Sequence, residues 1–219
     1  MKRFFHNNGL SVVLAVLFLI FWAAQSFAGW CEYNEDQQQH DGAPVGYSSY
    51  LRTGAFLEAT AENWESEFLQ MFAYVLLTAF LYQRGSAESK SPEKEAEKKA
   101  RRKPTPEHQQ PGPARRSGWQ LKLYEHSLSL AFLLLFLVAF VAHGIGGAAE
   151  FNQEQAEHGG AQVSALGYFA TSRFWFESFQ NWQSEFLAVL AMVVLSIWLR
   201  EKNSPESKEV DAPHSETGA

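Results

Sequence analysis

Asn63-Trp64-Glu65-Ser66-Glu67-Phe68-Leu69 returns, 118 residues later, as Asn181-Trp182-Gln183-Ser184-Glu185-Phe186-Leu187. Each stretch leads into an apolar run, Phe68 to Tyr82 and Phe186 to Leu199. Working outward at the same offset, Leu10–Ser86 lies on Leu128–Ser204 without a gap, with 28 identities in 77 positions. Polar residues share in the match: Glu32, Asn34, Gln37, His40 and Gly42 pair with Glu150, Asn152, Gln155, His158 and Gly160. Shared hydrophobicity does not align such residues, so the pattern reads as an internal duplication.

The duplication gives four apolar segments. The first runs from about Gly9 to Trp30 and the third from about Ser127 to Ala149. At about 1.5 Å per residue, each can cross a hydrocarbon core of about 30 Å. The second and fourth are shorter and fill that core only if their helices continue upstream through Trp64 and Trp182. Phe56, Trp64, Phe174, Trp175, Phe176, Phe179 and Trp182 form the aromatic belt expected at a membrane interface. The predicted fold is an all-α membrane protein of four transmembrane helices, arranged as two parallel two-helix repeats.

Met1-Lys2-Arg3, an apolar run and then Ser26-Phe27-Ala28 also fit an export signal. The third segment is internal and cannot be one, so its partner is read as a retained helix. The 219 residues average a mean hydropathy of -0.23 only because apolar runs are mixed with charged ones.

Charge sets the orientation. Of 18 Lys and Arg, 16 lie at the N-terminus, between Arg84 and Lys122, or in the tail; only Arg52 and Arg173 lie elsewhere. The positive-inside rule then places both termini and the middle linker in the cytoplasm of a bacterial inner membrane. Residues 31–67 carry eight Asp or Glu and residues 148–185 carry five, which makes the outer face acidic. Two out-and-back repeats of one orientation are related by an axis along the membrane normal.

The expected organisation is a first membrane repeat over 1–86, a disordered cytoplasmic linker over 87–118, a second repeat over 119–204 and a polar tail over 205–219. Inside the linker, Ser91 and Pro92 predict a short helix with Glu95/Lys99 and Glu97/Arg101 pairs at i,i+4. Its basic run, Lys98 to Arg102, suits contact with anionic lipid, although a solvated topology-setting linker is the simpler reading.

Asn63, Ser66 and Glu67, with Asn181, Ser184 and Glu185, are the candidate polar or ion site. Carboxylates at membrane depth are costly and often functional; helix-end electrostatics and interhelical hydrogen bonding are the structural alternatives. His40 and His158 are weak metal candidates, because their eight-residue spacing from Glu32 and Glu150 fits no compact zinc site. Those stretches read instead as helix extensions ended by Gly42 and Gly160.

No catalytic motif is present, Cys31 has no partner, and the net charge of -6 argues against nucleic acid. Neither enzymatic activity nor a cofactor is expected. The partners expected are the bilayer, an unidentified protein and further copies of the chain in an oligomer.

Taken together, Glu-x-Asn, His-x-Gly, the Asn-Trp-x-Ser-Glu-Phe-Leu motif and Gln83-Arg84-Gly85-Ser86 resemble a family of uncharacterised bacterial integral membrane proteins with a duplicated domain of unknown function. The second copy departs from it at Ala188 and at Arg200–Asn203. The resemblance implies a location and a topology, and no activity. A structural or interaction role in the envelope is the leading reading; a small cation or proton transporter using Glu67 and Glu185 is the other. A reporter fused at Ala100 should read cytoplasmic and one at Asp41 periplasmic; the reverse pattern would break the orientation.

Overall fold

The computed structural model describes residues 2–40 and 42–218, apart from the side chains of Lys2, Lys98 and Glu107. Asp41 and the side chain of Lys98, which the sequence reading used, therefore lie outside the described residues. Every regular element among the described residues is helical. They are α1 (Lys2–Gln39), α2 (Tyr47–Tyr50), α3 (Gly54–Phe80), α4 (Pro92–Arg101), α5 (Trp119–Glu125), α6 (Ser127–Glu157), α7 (Ala165–Tyr168) and α8 (Ser172–Leu195), with 3-10 turns at Glu107–Gln109 and Gly112–Arg115.

Two helices are long and apolar enough to cross a membrane. They are α1, with a mean hydropathy of 2.2 in its most apolar window, and α6, with 2.5. Only 6% of that α1 window is buried. α1 bends at Asn8, whose backbone leaves helical geometry while its side chain donates to the Phe4 carbonyl. The helices α3 and α8 run unbroken through Trp64 and Trp182, over 27 and 24 residues, or about 40 and 36 Å.

The chain divides into two compact units. The first comprises Met1–Ala61 and Val141–Trp175. Its connections are fastened by asparagines. The Asn34 amide donates to the Val45 carbonyl (3.1 Å) and accepts from the Val45 N–H (2.7 Å). Asn152 does the same with Val163, at 2.8 Å for both bonds. α6 ends in a Schellman motif: Gly160 N–H bonds the Gln155 carbonyl at 2.7 Å, with Gly159 left-handed at φ +66°. Gly159, rather than Gly160, is thus the residue that needs the glycine conformation. Gly42 N–H likewise bonds the Gln37 carbonyl, at 2.6 Å.

Thr53 and Thr171 cap α3 and α8, each accepting from the N–H three residues on (Phe56, Phe174) at 3.3 Å. Tyr50 and Tyr168, three residues before each cap, are buried. Behind them α3 crosses α6 on glycines: a Cβ on Gly146 would stand 2.6 Å from the Glu58 nitrogen, and one on Gly54 2.7 Å from the Gly146 carbonyl oxygen.

The second unit comprises Glu62–Phe140 and Phe176–Ala219. α4 forms as the sequence predicts: Ser91 accepts from Lys94 N–H, and Glu95–Lys99 and Glu97–Arg101 pair at 3.8 and 3.9 Å. After α3 and α8 the chain turns through left-handed Gly85 and Asn203. Ser89 Oγ accepts from Gln83 N–H, and Ser207 Oγ accepts from Glu201 N–H, both at 2.9 Å. These positions are again 118 apart. The correspondence therefore runs past Ser86/Ser204, through Ser-x-Glu-Ser-Lys at 86–90 and 204–208.

Gly146→Leu should destabilise the protein by about 1–3 kcal/mol or more, because the side chain must enter backbone. Gly9→Ala, which meets nothing within 4 Å, should be neutral or stabilising. Thermal unfolding in detergent compares the two.

Candidate functional site

The paired motif comes together in the second unit, although not through the residues the sequence singled out. Glu65 is fully buried and accepts a hydrogen bond from Trp182 Nε1 at 2.8 Å. Gln70 Nε2 donates to the Glu185 carbonyl at 2.7 Å. Each contact joins α3 to the other copy of the motif on α8. Both use a residue the second copy lacks, since Gln183 stands in place of Glu65 and Ala188 in place of Gln70. These two differences between the copies were legible in the sequence as a signal.

The six predicted residues have other placements. Ser66 and Ser184 turn back on their own helices, donating to the Asn63 and Asn181 carbonyls at 2.9 and 2.8 Å. Ser66 is buried, while Asn63, Glu67 and Ser184 are exposed. Asn181, half-buried, donates to the Glu177 carbonyl. Glu185 is half-buried and lies within electrostatic reach of Glu67.

At the ends of α3 and α8 the Ser-x-Glu-Ser-Lys turns meet the tail. Ser86 and Ser196 hydroxyls lie 3.0 Å apart, and Tyr74 donates to Glu88. Burial first, and then the nearby Glu206 carboxylate, push Glu88 up from its ordinary value despite the Tyr74 hydrogen bond. Lys208, 2% exposed, donates to carbonyls of Gly85 (2.6 Å), Glu216 (2.9 Å) and His214 (3.1 Å). Burial lowers its pKa. Its counterpart Lys90 is exposed. Lys94 Nζ holds Glu216 at 2.6 Å and depresses that carboxyl.

In the first unit, His40 and His158 meet edge to face, ring centroids 5.7 Å apart. Each turns Nδ1 onto the carbonyl four residues back, at 3.0 and 2.8 Å. Sequence spacing within one copy did not bring them together; the pairing is between copies. Deeper in this unit, Glu58 and His143 are buried at 8% and 0% exposure, with ligating atoms within 4.8 Å. The Tyr168 hydroxyl donates to Glu58 Oε1 at 3.3 Å, and Phe174 packs on the His143 ring, centroids 4.8 Å apart.

These features define an all-helical protein with two membrane-competent helices and buried polar clusters. The chain belongs to the family of the domain of unknown function DUF6766, which matches residues 1–219. Comparison with curated proteins and with solved structures gives no match.

The tail contact has a pH signature. Because Glu216 titrates below its ordinary 4.5 when docked, its stabilisation is present above pH 4.5 and is lost as pH falls through the depressed folded value. Limited proteolysis should cut the tail of Glu216→Gln faster than that of the unmutated chain at pH 7. That difference should close at acid pH.

Proposed function

We propose that this is an integral membrane protein of the bacterial inner membrane, with four transmembrane helices in two parallel repeats and both termini cytoplasmic. Its role is structural or interactive within the envelope, and not catalytic. The observation that carries the membrane reading is the exposed apolar surface of α1. Leu10, Val13, Leu14, Leu17, Phe18 and Phe21 are all exposed, an arrangement that water disfavours and that lipid or a partner helix satisfies. The hydrogen bonds that recur at an offset of 118 support the two-repeat reading.

The acidic outer connections, held in shape by the Asn34 and Asn152 clips, suit docking of a partner with a basic surface. The basic run over Lys98–Arg102 suits the anionic inner leaflet. A photo-crosslinker at Ser48, in the first outer connection, should give a discrete adduct in intact cells, and one at Ala100 should not give the same adduct. No adduct at Ser48, or an identical one from both sites, counts against an outer partner.

The electrostatic reach between Glu67 and Glu185 favours a second reading, cation or proton transport. In proteoliposomes, Glu67→Gln with Glu185→Gln should abolish any flux the unmutated protein supports; absence of flux in the unmutated protein for every ion tested removes that reading.

A further inference from the structure

Glu58 and His143 belong to neither of the repeated motifs. Glu58 stands in the second turn of α3, and His143 stands within α6, the more apolar of the two membrane-competent helices. Burying a carboxylate and an imidazole in such surroundings is costly unless their charge and hydrogen-bonding capacity are met. An imidazole nitrogen and a carboxylate oxygen within 4.8 Å are also the donor types that take zinc-class cations.

The surroundings are those of a built site. Tyr168, with no exposed surface, donates to Glu58 Oε1 and so fixes the carboxylate from behind, the usual role of an outer partner at a metal. Phe174 covers the imidazole face, and the Phe169 ring lies against Gly144, one residue along α6. Gly146 has no side chain to hold the Glu58 backbone away.

Comparison at the 118-residue offset separates frame from donors. Tyr168 and Phe174 have identical counterparts in Tyr50 and Phe56, and Gly147 has Gly29. The donors have none: Gln25 stands where His143 would be, and Phe176 corresponds to Glu58. An aromatic frame common to both halves carries the Glu58–His143 pair in one place.

We propose that Glu58 and His143 bind a single divalent transition-metal cation per chain, with Tyr168 positioning the carboxylate. The full chain, purified in detergent and stripped with chelator, is equilibrated with Zn²⁺ and the bound metal counted. The unmutated protein should hold one Zn²⁺ per chain. His143→Ala and Glu58→Gln should each weaken binding more than tenfold, and Tyr168→Phe by about tenfold, as loss of an outer partner does. His40→Ala with His158→Ala, which removes the exposed histidine pair, should leave one Zn²⁺ per chain.

Co²⁺ gives an independent readout: its d–d absorption should appear in the unmutated protein and vanish in His143→Gln. That variant carries the residue found at position 25, so it serves if His143→Ala fails to fold, with helicity checked by circular dichroism. No stoichiometric Zn²⁺ on the unmutated chain, undiminished binding by the folded His143 variants, or loss of binding on removing His40 and His158 would each overturn the proposal.

Discussion

Turning an apolar helix back on itself is the constraint on which this structure rests. A chain that leaves a long helix at a wet boundary must satisfy its last carbonyls and re-enter in a fixed direction. Here one asparagine side chain bonds both polar groups of a single later residue, Val45 for Asn34 and Val163 for Asn152. That two-point attachment fixes where the short helix α2 or α7 begins. The short helix then sets the buried tyrosine, and the threonine cap three residues on starts the return helix. The direction of α3 and α8 follows from a bond made about twenty residues before either one begins.

The helical character, the long helices and α4 were legible because hydrophobic runs, caps and turn residues are local signals. Ser91 and the glycines after α1 and α6 each act within a few residues of where they stand, whereas the Thr53 and Thr171 caps and the short helices α2, α5 and α7 carry no comparable pattern. The upstream continuation of α3 and α8 was legible from Trp64 and Trp182, because aromatic residues are enriched where a helix passes a membrane interface. The site was less legible. Identity between the copies points to Asn63, Ser66 and Glu67. Three of the buried polar groups stand where the copies differ: Glu65 against Gln183, Gln70 against Ala188, His143 against Gln25. A residue made unique by divergence carries no repeat signal, and its burial is a tertiary property.

The Ser-x-Glu-Ser-Lys turns have no local signal of this kind either. They lie in polar segments where composition suggests solvated chain, and only the pairing of Gln83 with Ser89, and of Glu201 with Ser207, reveals a common turn. Lys90 and Lys208 show how far equivalent positions can part. One points into solvent, while the other is enclosed by backbone oxygen.

The enclosed lysine has a consequence for biosynthesis. Lys208 joins the turn after the second long helix to carbonyls of Pro213, His214 and Glu216. A ribosome makes those carbonyls after Lys208 itself. The turn at Gly85 is finished more than a hundred residues earlier and must wait, with its carbonyl uncommitted, until the tail emerges. This contact therefore closes late in synthesis, and a factor that attends the nascent chain before then meets the Gly85 turn open.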